Sequence, residues 1–309
     1  MPASARAPMM ARLDGMERAM RIGFIGTGTM GTPIAGCLVA AGHALTVYDI
    51  RREATEALRQ QGAAMAETPR AVAAASEVVF TSLPGPKEVE AAALDPETGL
   101  LTGLPKGGTY IDLTTNAPET IRRLAAACRE RAVAFLDAPV SGGPPSMTVM
   151  AGGDAAAFSR CRPLFETIAK NVFHVGPSGA GCAAKLVTQY LGYTNFIAAL
   201  EGMLVAKKAG IDLSVLAEIV PVSAGQSRTF DNIPRSVLTG AFTAGGTLDI
   251  VAKDIDLACA LGREVGAPVQ LGVLASEMYK RAQAHGWGQE GFPIVARVLE
   301  AMAGVELRK

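Results

Sequence analysis

The residues that could do chemistry begin with three glycines, Gly26, Gly28 and Gly31, in a Gly-x-Gly-x-x-Gly run. They directly follow an apolar segment, residues 22–25, that predicts a buried strand. A predicted helix and a second strand come next, and that strand ends at Asp49, 18 residues past Gly31. Glycines in this arrangement permit a tight turn and bring phosphate close to the N–H groups of the helix N-terminus. The segment therefore predicts dinucleotide binding, with Asp49 accepting hydrogen bonds from ribose hydroxyls.

Two lysines stand where they could transfer a proton or form an ion pair. Lys185 and Gln189 are four residues apart in a segment that predicts one long helix, so they share a face of it. A lysine on a helix is usually a solvated charge, but this one lies where the predicted fold changes. Lys253 and Asp254 lie in an otherwise apolar helical segment, where a buried lysine needs a partner. A structural pair with Asp254 or Asp256 and a functional role both stay open for Lys253.

A third segment, Ser141-Gly142-Gly143, follows a predicted buried strand and offers a hydroxyl and backbone N–H groups to an anion. The alternative interpretation is an ordinary turn at the end of a strand. Strands alternate with helices in the first half of the chain and are predicted at residues 22–25, 44–47, 78–81, 109–113, 135–140, 148–150 and 171–175. This alternation predicts a mostly parallel, doubly wound sheet whose ligands lie at the carboxyl ends of the strands.

The pattern changes after residue 181. Residues 182–209 contain no proline and predict one long helix, and only helical periodicity follows to residue 309. We therefore predict an α/β chain, in which a Rossmann-type doubly wound sheet domain over 21–181 is joined by the long helix to an all-helical domain over 182–309. Residues 1–20 lack an apolar signal core and are predicted to be a flexible extension.

Composition limits the possible classes of function. The chain has 309 residues and a formal net charge of zero, which argues against nucleic acid or an acidic membrane surface as the main partner. No apolar run approaches the length of a membrane span. The five cysteines form no Cys-x-x-Cys pair, which favours a reducing, cytoplasmic compartment. The three histidines are scattered, so we predict neither a metal site nor a catalytic histidine.

Four motifs stand in order along the chain: GFIGTGTMGTPIA at 23–35, DAPVSGG at 137–143, GAGCAAKL at 179–186 and KDIDLA at 253–258. Together they resemble the β-hydroxyacid dehydrogenase family, which belongs to the 6-phosphogluconate dehydrogenase superfamily and includes the 3-hydroxyisobutyrate dehydrogenases and tartronate semialdehyde reductases. The resemblance implies hydride transfer between NAD and a small 3-hydroxy acid, or reduction of the matching semialdehyde. It also implies a homo-oligomer.

The resemblance assigns roles to individual residues. Lys185 matches the lysine that acts as general acid/base, and Lys253 matches a lysine near the nicotinamide and the substrate. The segment 141–143 matches the clamp on the substrate carboxylate, and Gln189 lies in the same substrate site. The positions implied to line the cofactor are Gly26, Thr27, Gly28, Thr29, Met30, Gly31, Asp49, Leu83, Pro84, Thr115 and Lys253.

Three positions depart from the family pattern. Gln189 stands where the family usually has asparagine, and Gly246 stands where many members have phenylalanine. The segment after Gly143 is also shorter than usual. A longer amide on one side and a missing ring on the other predict a 3-hydroxy acid with a bulkier or more polar substituent than 3-hydroxyisobutyrate.

Single residues favour one cofactor over the other and one function over two alternatives. Asp49 favours NAD over NADP, because a carboxylate repels a 2′-phosphate, although Arg51 and Arg52 could instead pair with that phosphate. One rival is a cofactor-binding module without turnover, and the other is an imine reductase. Both are expected to lack the lysine at position 185, so Lys185 favours the dehydrogenase.

Overall fold

The computed structural model of the chain describes residues 19–243 and 245–308. The strands are β1 (Arg21–Ile25), β2 (Ala44–Tyr48), β3 (Ala64–Met65), β4 (Val78–Thr81), β5 (Thr109–Asp112), β6 (Ala134–Asp137), β7 (Val140–Ser141), β8 (Thr148–Gly153) and β9 (Asn171–Gly176). The helices among them are α1 (Gly31–Ala40), α2 (Glu56–Arg59), α3 (Pro69–Ala74), α4 (Pro86–Leu94), α5 (Pro118–Glu130) and α6 (Ala155–Ile168). The helices after the sheet are α7 (Ala180–Lys208), α8 (Leu213–Ile219), α9 (Ile233–Ser236), α10 (Leu248–Glu264), α11 (Gln270–Ala284) and α12 (Ala296–Ala303).

One sheet holds all nine of these strands, in the order β3-β2-β1-β4-β5-β6-β8-β7, with β9 beside β8. Strands β1 to β6 pair in parallel, and their registers align the carboxyl ends: Ile25 lies beside Thr81, Thr81 beside Asp112, and Asp112 beside Asp137. The predicted mostly parallel, doubly wound sheet followed by helices is therefore confirmed. Turns that follow β1, β4, β5 and β6 all emerge at this one edge.

The predicted strand at 135–140 is wrong in one respect, because it is two strands. Strand β6 ends at Asp137, and Val140 and Ser141 form β7, which pairs antiparallel with β8. The break falls at Pro139, which has no N–H to continue the parallel ladder. The short segment after Gly143 therefore connects two strands of a hairpin.

Three elements were not predicted although two of them carry clear start signals. Strand β3 is only two residues long, helix α3 has 6 residues, and helix α6 has 14. Thr68 caps α3 by accepting a hydrogen bond from the Ala71 N–H, and Pro69 occupies its first position. Asp154 caps α6 by accepting from the Ala157 N–H. Strands were predicted at 148–150 and 171–175 with no element between them, so the cap at Asp154 was overlooked.

The long helix α7 begins two residues before its predicted start and belongs to two cores. Near its beginning, Cys182 and Leu186 pack into the apolar layer on one face of the sheet, and Ala258 of α10 joins them there. Further along, α7 contributes Phe196 and Leu200 to the core of the helical half. Burial at both ends makes α7 part of the sheet and of the helical domain at once.

The predicted extension over 1–20 lies outside the described residues except for its last two. Of these, Met20 donates its N–H to His43 Nδ1 at 3.3 Å. Within the ranges 19–243 and 245–308, no helix has both the length and the apolar character to cross a lipid bilayer. The same part of the chain contains no group of three or more His, Cys, Asp or Glu side chains that could hold a metal ion.

Candidate active site

The turn between β1 and α1 is packed so closely that two of its positions admit only glycine. Gly26 has a φ of +93°, and a Cβ there would lie 2.3 Å from the carbonyl oxygen of Ser82. A Cβ on Gly31 would lie 1.8 Å from the carbonyl oxygen of Gly26, so α1 starts directly against the turn. A Cβ on Gly28 would meet only the Arg51 guanidinium, at 4.0 Å. The turn is thus open at Gly28, where a phosphate could approach the backbone.

Polar groups of the same turn lack partners within the described part of the chain. The Thr27 hydroxyl is buried and makes no hydrogen bond. No side chain caps the N-terminus of α1, and its first turn contains no acidic residue. Thr29 and Met30, which precede the helix, are exposed. An unpaired hydroxyl beside a positive helix end that has no side-chain cap fits the pyrophosphate of a dinucleotide.

Asp49 directly follows β2 and holds this turn in shape. Its Oδ2 accepts a hydrogen bond from the Thr27 N–H at 2.8 Å, and its Oδ1 accepts from the Arg51 N–H at 2.9 Å. The Arg51 guanidinium lies 3.9 Å from the same carboxylate. Each carboxylate oxygen has a second lone pair, so Asp49 can hold the turn and still accept a ribose hydroxyl. Asp49, which disfavours the 2′-phosphate of NADP, and Arg51, which could pair with it, therefore lie side by side near Gly28.

The loops after β4 and β5 meet a lysine that comes from the helical half. Leu83 and Pro84 follow β4, and the Leu83 N–H donates to a threonine hydroxyl of the neighbouring loop at 3.1 Å. Lys253 on α10 donates from Nζ to the Thr115 carbonyl oxygen at 3.1 Å. A Cβ on Gly85 would lie 3.1 Å from Lys253 Cδ, so the lysine stem runs along this loop. The structure thus brings three predicted cofactor positions together with Lys253.

Lys185 lies on α7 and belongs to a connected polar network. Only 6% of its surface is exposed, and its Nζ donates to Gln189 Oε1 at 3.0 Å. Gln189 Nε2 donates to the Tyr193 hydroxyl at 2.6 Å and to Asp254 Oδ2 at 2.7 Å. Asp254 Oδ1 lies 2.8 Å from Lys253 Nζ, an ionic contact without the direction of a hydrogen bond. One chain of polar contacts therefore joins the two lysines.

The surroundings of Lys185 shift its protonation toward neutral pH. Burial lowers its pKa to about 8, the charge of Asp254 opposes that shift, and the charge of Lys253 adds to it. Burial also raises the pKa of the Tyr193 hydroxyl, which therefore stays protonated. A lysine of this kind is available both as a base and as an acid near neutral pH, as proton transfer requires.

The predicted clamp lies on the β7–β8 hairpin, beyond the carboxyl end of β6. Ser141 pairs with Thr148 across the hairpin, and Gly142 has a φ of +81°. Gly142 and Gly143 are exposed, and a Cβ on Gly143 would meet no described atom within 4 Å. Among the described residues, no hydrogen bond joins the hairpin to Lys185. The structure thus brings the segment to the expected edge of the sheet, and its binding role stays a prediction.

Asp137, at the end of β6, is an important site residue for which the sequence suggested no role. It is fully buried, and its two oxygens accept hydrogen bonds from the N–H groups of Gly179 at 2.7 Å and Cys182 at 2.8 Å. Burial raises its pKa to about 6. A Cβ on Gly181 would lie 2.3 Å from the Asp137 carbonyl oxygen, so the helix is seated directly on the strand. Asp137 thereby fixes the first turn of α7 and places Lys185 in the next turn. The sequence feature that could have indicated this role is an acidic residue at the end of a predicted buried strand.

Gly246, just before α10, has open space beside it. A Cβ there would meet no described atom within 4 Å, and its carbonyl oxygen accepts from the Phe292 N–H at 3.0 Å. The Phe292 ring packs edge-on against Tyr193, with centroids 5.9 Å apart. Since Tyr193 accepts from Gln189, Gly246 is linked through Phe292 and Tyr193 to the helix that carries the polar network.

Comparison with known proteins relates both halves of the chain to one family. Residues 21–176 match the NAD binding domain of 6-phosphogluconate dehydrogenase, and residues 179–299 match the domain described as NAD-binding of NADP-dependent 3-hydroxyisobutyrate dehydrogenase. The chain is 32% identical over 298 residues to 2-(hydroxymethyl)glutarate dehydrogenase of Eubacterium barkeri, covering 94% of this chain and 99% of that one. It is 34% identical over 296 residues to the NAD-dependent L-serine dehydrogenase of Pseudomonas aeruginosa, covering 92% and 99%.

Solved structures agree with these relatives. The 3-hydroxyisobutyrate dehydrogenase from Salmonella typhimurium has a TM-score of 0.81 and 30% identity, and the match covers 90% of this chain and 99% of that one. A variant imine reductase from Myxococcus stipitatus has a TM-score of 0.61 at 20% identity, a likeness of fold alone. The family predicted from the four motifs is confirmed. The chain belongs to the β-hydroxyacid dehydrogenase family and is an NAD(P)-dependent oxidoreductase.

Proposed function

We propose that the protein transfers hydride between NAD and a small 3-hydroxy acid, with Lys185 as the general acid/base. The observation that carries this proposal is the setting of Lys185, which is buried, has a pKa of about 8 and is linked through Asp254 to Lys253. Lys253 in turn contacts the Thr115 carbonyl oxygen at the edge of the sheet where the glycine turn also lies.

In the oxidative direction, neutral Lys185 accepts the proton of the substrate hydroxyl as a hydride leaves the same carbon. Bound NAD supplies the hydride acceptor. In the reductive direction, the Lys185 ammonium returns the proton to the carbonyl oxygen of the semialdehyde. The hydrogen bond from Nζ to Gln189 Oε1 holds the amine in one orientation, which limits the geometries from which the proton moves.

The cofactor is proposed to lie on the sheet domain, residues 21–181, and the helical domain, residues 182–309, to complete the substrate site. The unpaired Thr27 hydroxyl and the uncapped start of α1 support a pyrophosphate at the glycine turn. Asp49 supports NAD over NADP, although Arg51 lies beside it. The proposed cofactor-lining residues are Gly26, Thr27, Gly28, Thr29, Met30, Gly31, Asp49, Leu83, Pro84, Thr115 and Lys253.

The substrate carboxylate is proposed to bind Ser141 and the N–H groups of Gly142 and Gly143, with Gln189 at the opposite side. The relatives named above act on 2-(hydroxymethyl)glutarate, L-serine and 3-hydroxyisobutyrate. All three compounds share the unit HOCH₂–CH(R)–COO⁻ and differ in R. We propose the same unit for this protein, with R in the space left open at Gly246.

We also propose a homo-oligomer in the cytoplasm. The cysteine thiols are all free, which supports a reducing compartment. Large apolar side chains are exposed on the helical half and support association with further copies. They include Val187, Leu191, Val205, Val215, Ile219, Val222, Leu271 and Leu274.

The proposed reaction can be tested by following NADH formation with a panel of HOCH₂–CH(R)–COO⁻ acids. Lys185→Met should lower kcat by roughly 10²–10⁴ while NADH binding stays unchanged, because the glycine turn is untouched. Lys207→Met, an exposed lysine on the same helix, is the matched control and should behave like the wild type. Oxidation of none of the acids with either NAD or NADP, or full turnover by Lys185→Met, would refute the proposal.

A further inference from the structure

The hydrogen bonds of Gln189 are directed at protein groups. A side-chain amide has two N–H donors and one carbonyl oxygen. In Gln189, one donor serves the Tyr193 hydroxyl, the other serves Asp254, and the carbonyl oxygen accepts from Lys185. Both donors are thus in use among the described residues before any substrate is present. The Gln189 amide, proposed above to border the substrate site, is therefore placed to orient Lys185.

We propose that Asp254 acts through Gln189 as a positioning residue for Lys185, so that one buried carboxylate on α10 holds both lysines in place. The proposal rests on the proposed role of Lys185 in proton transfer. Asp254 is only 1% exposed, and α10 packs beside α7. One of its oxygens holds Gln189 and the other lies against Lys253.

The length of Gln189 matters for this bridge. It spans from Lys185 on its own helix to Asp254 on the next one, with distances of 3.0 Å and 2.7 Å at its two ends. Asparagine, the usual family residue, is shorter by one carbon–carbon bond of about 1.5 Å. That loss would stretch at least one end beyond hydrogen-bonding distance. The length of the Gln189 side chain therefore lets it reach both partners at once.

The charges around Lys185 predict in which direction its pKa should shift when each of them is removed. Asp254 favours the ammonium form of Lys185, Lys253 disfavours it, and Tyr193 is neutral because burial raises its pKa. Neutralising Asp254 should therefore lower the pKa of Lys185. Neutralising Lys253 should raise it. A residue that only stabilised the fold would shift the pKa in neither direction.

The experiment compares Asp254→Asn and Gln189→Met with the wild type and with Asp256→Asn as control. Asp256 lies on the same helix but pairs with Ser276 and Lys280 at the surface. The first measurement is the pH dependence of kcat and KM. The second is a ¹³C NMR titration of protein labelled at lysine Cε, with the Lys185 signal assigned by its loss in Lys185→Arg.

We expect Asp254→Asn to lower the Lys185 midpoint by about one pH unit, the low end for a nearby opposite charge. Gln189→Met should lower it as well and reduce kcat roughly tenfold to a hundredfold, because the amine loses its fixed orientation. Asp256→Asn should leave both readouts unchanged. If Gln189→Met does not fold, Gln189→Asn takes its place with the same expected direction.

Two results would overturn the inference. One is a Lys185 midpoint that stays at the wild-type value in both variants, and the other is a Gln189 variant that raises KM alone, as loss of a substrate ligand would. The NMR titration needs no turnover, so it tests the network even if no hydroxy acid is oxidised. Failure of the proposed function is thus distinguishable from failure of the positioning role.

Discussion

Burial of Lys185 predicts how the rate of the proposed oxidation depends on pH. With the ordinary lysine pKa of 10.5, about one molecule in a thousand would be neutral at pH 7.5, whereas a pKa of about 8 makes about a quarter of them neutral. The difference corresponds to about 3 kcal/mol. Burial therefore raises the fraction of enzyme that can accept a proton roughly 200-fold at that pH.

The assay is kcat/KM for oxidation of the best hydroxy acid between pH 6 and pH 10 at constant ionic strength. We expect a rise of about tenfold per pH unit below pH 8 and a plateau above it, because only neutral Lys185 accepts the proton. Reduction of the semialdehyde should show the opposite limb, since it needs the ammonium. Lys207→Met should reproduce the wild-type profile.

A midpoint near 10 in both directions would refute this reasoning. It would mean that Lys185 keeps its hydration in solution and that its burial has no electrostatic effect. A midpoint near 8 that persists in Lys185→Met would also refute it, because another group would then be titrating.

Three further predictions concern cofactor, substrate and stability. Because of Asp49, kcat/KM should be higher with NAD than with NADP. Asp49→Ala should reduce the ratio of the two kcat/KM values, since Arg51 then faces the 2′-phosphate without the opposing carboxylate, and kinetics with both cofactors test this. Gly246→Phe should shift preference roughly tenfold toward 3-hydroxyisobutyrate and away from acids with larger R, and equal losses for both acids would count against it. Asp137 has its folded-state pKa raised to about 6, so its contribution to stability is complete below pH 4 and falls by about 3 kcal/mol as the pH rises through 6. Burial also raises the pKa of Asp112, so urea unfolding at pH 4 and pH 7 should show a fall in both proteins that is larger in the wild type than in Asp137→Asn, and equal falls would contradict the prediction.

The elements that hold the site were predictable wherever local pattern and tertiary role agree. The glycine turn at residues 26–31 is set by backbone sterics within a few residues, so its type and place could be inferred from spacing alone. The long helix after residue 181 was equally clear, because 28 residues without proline favour one continuous helix. Lys185 and Gln189 share a helix face in the structure as the spacing of four predicted.

The contacts between distant residues could not be predicted in the same way. Nothing in the spacing shows that Gln189 reaches Asp254, 65 positions away, or that Lys253 meets the Thr115 carbonyl. Both contacts depend on how α10 packs beside α7. The alternatives left open for Lys253 turn out to hold together, because it pairs with Asp254 and also lies beside predicted cofactor positions. The break at Pro139 was visible in the sequence, but the antiparallel pairing that follows it depends on β8.

Because α7 and α10 each contribute to two cores, the order of synthesis affects when the sheet domain can finish packing. The apolar layer on one face of the sheet is completed by Cys182, Leu186 and Ala258. A chain that emerges from the ribosome N-terminus first therefore lacks three members of this layer until residue 258 has been synthesised, although α3, α4 and α5 already cover the same face. The first 181 residues contain every strand in the described part of the molecule, yet the layer on one face of the sheet is complete only with residues of α7 and α10. The sheet domain thus reaches its full packing only when α7 and α10 have been added.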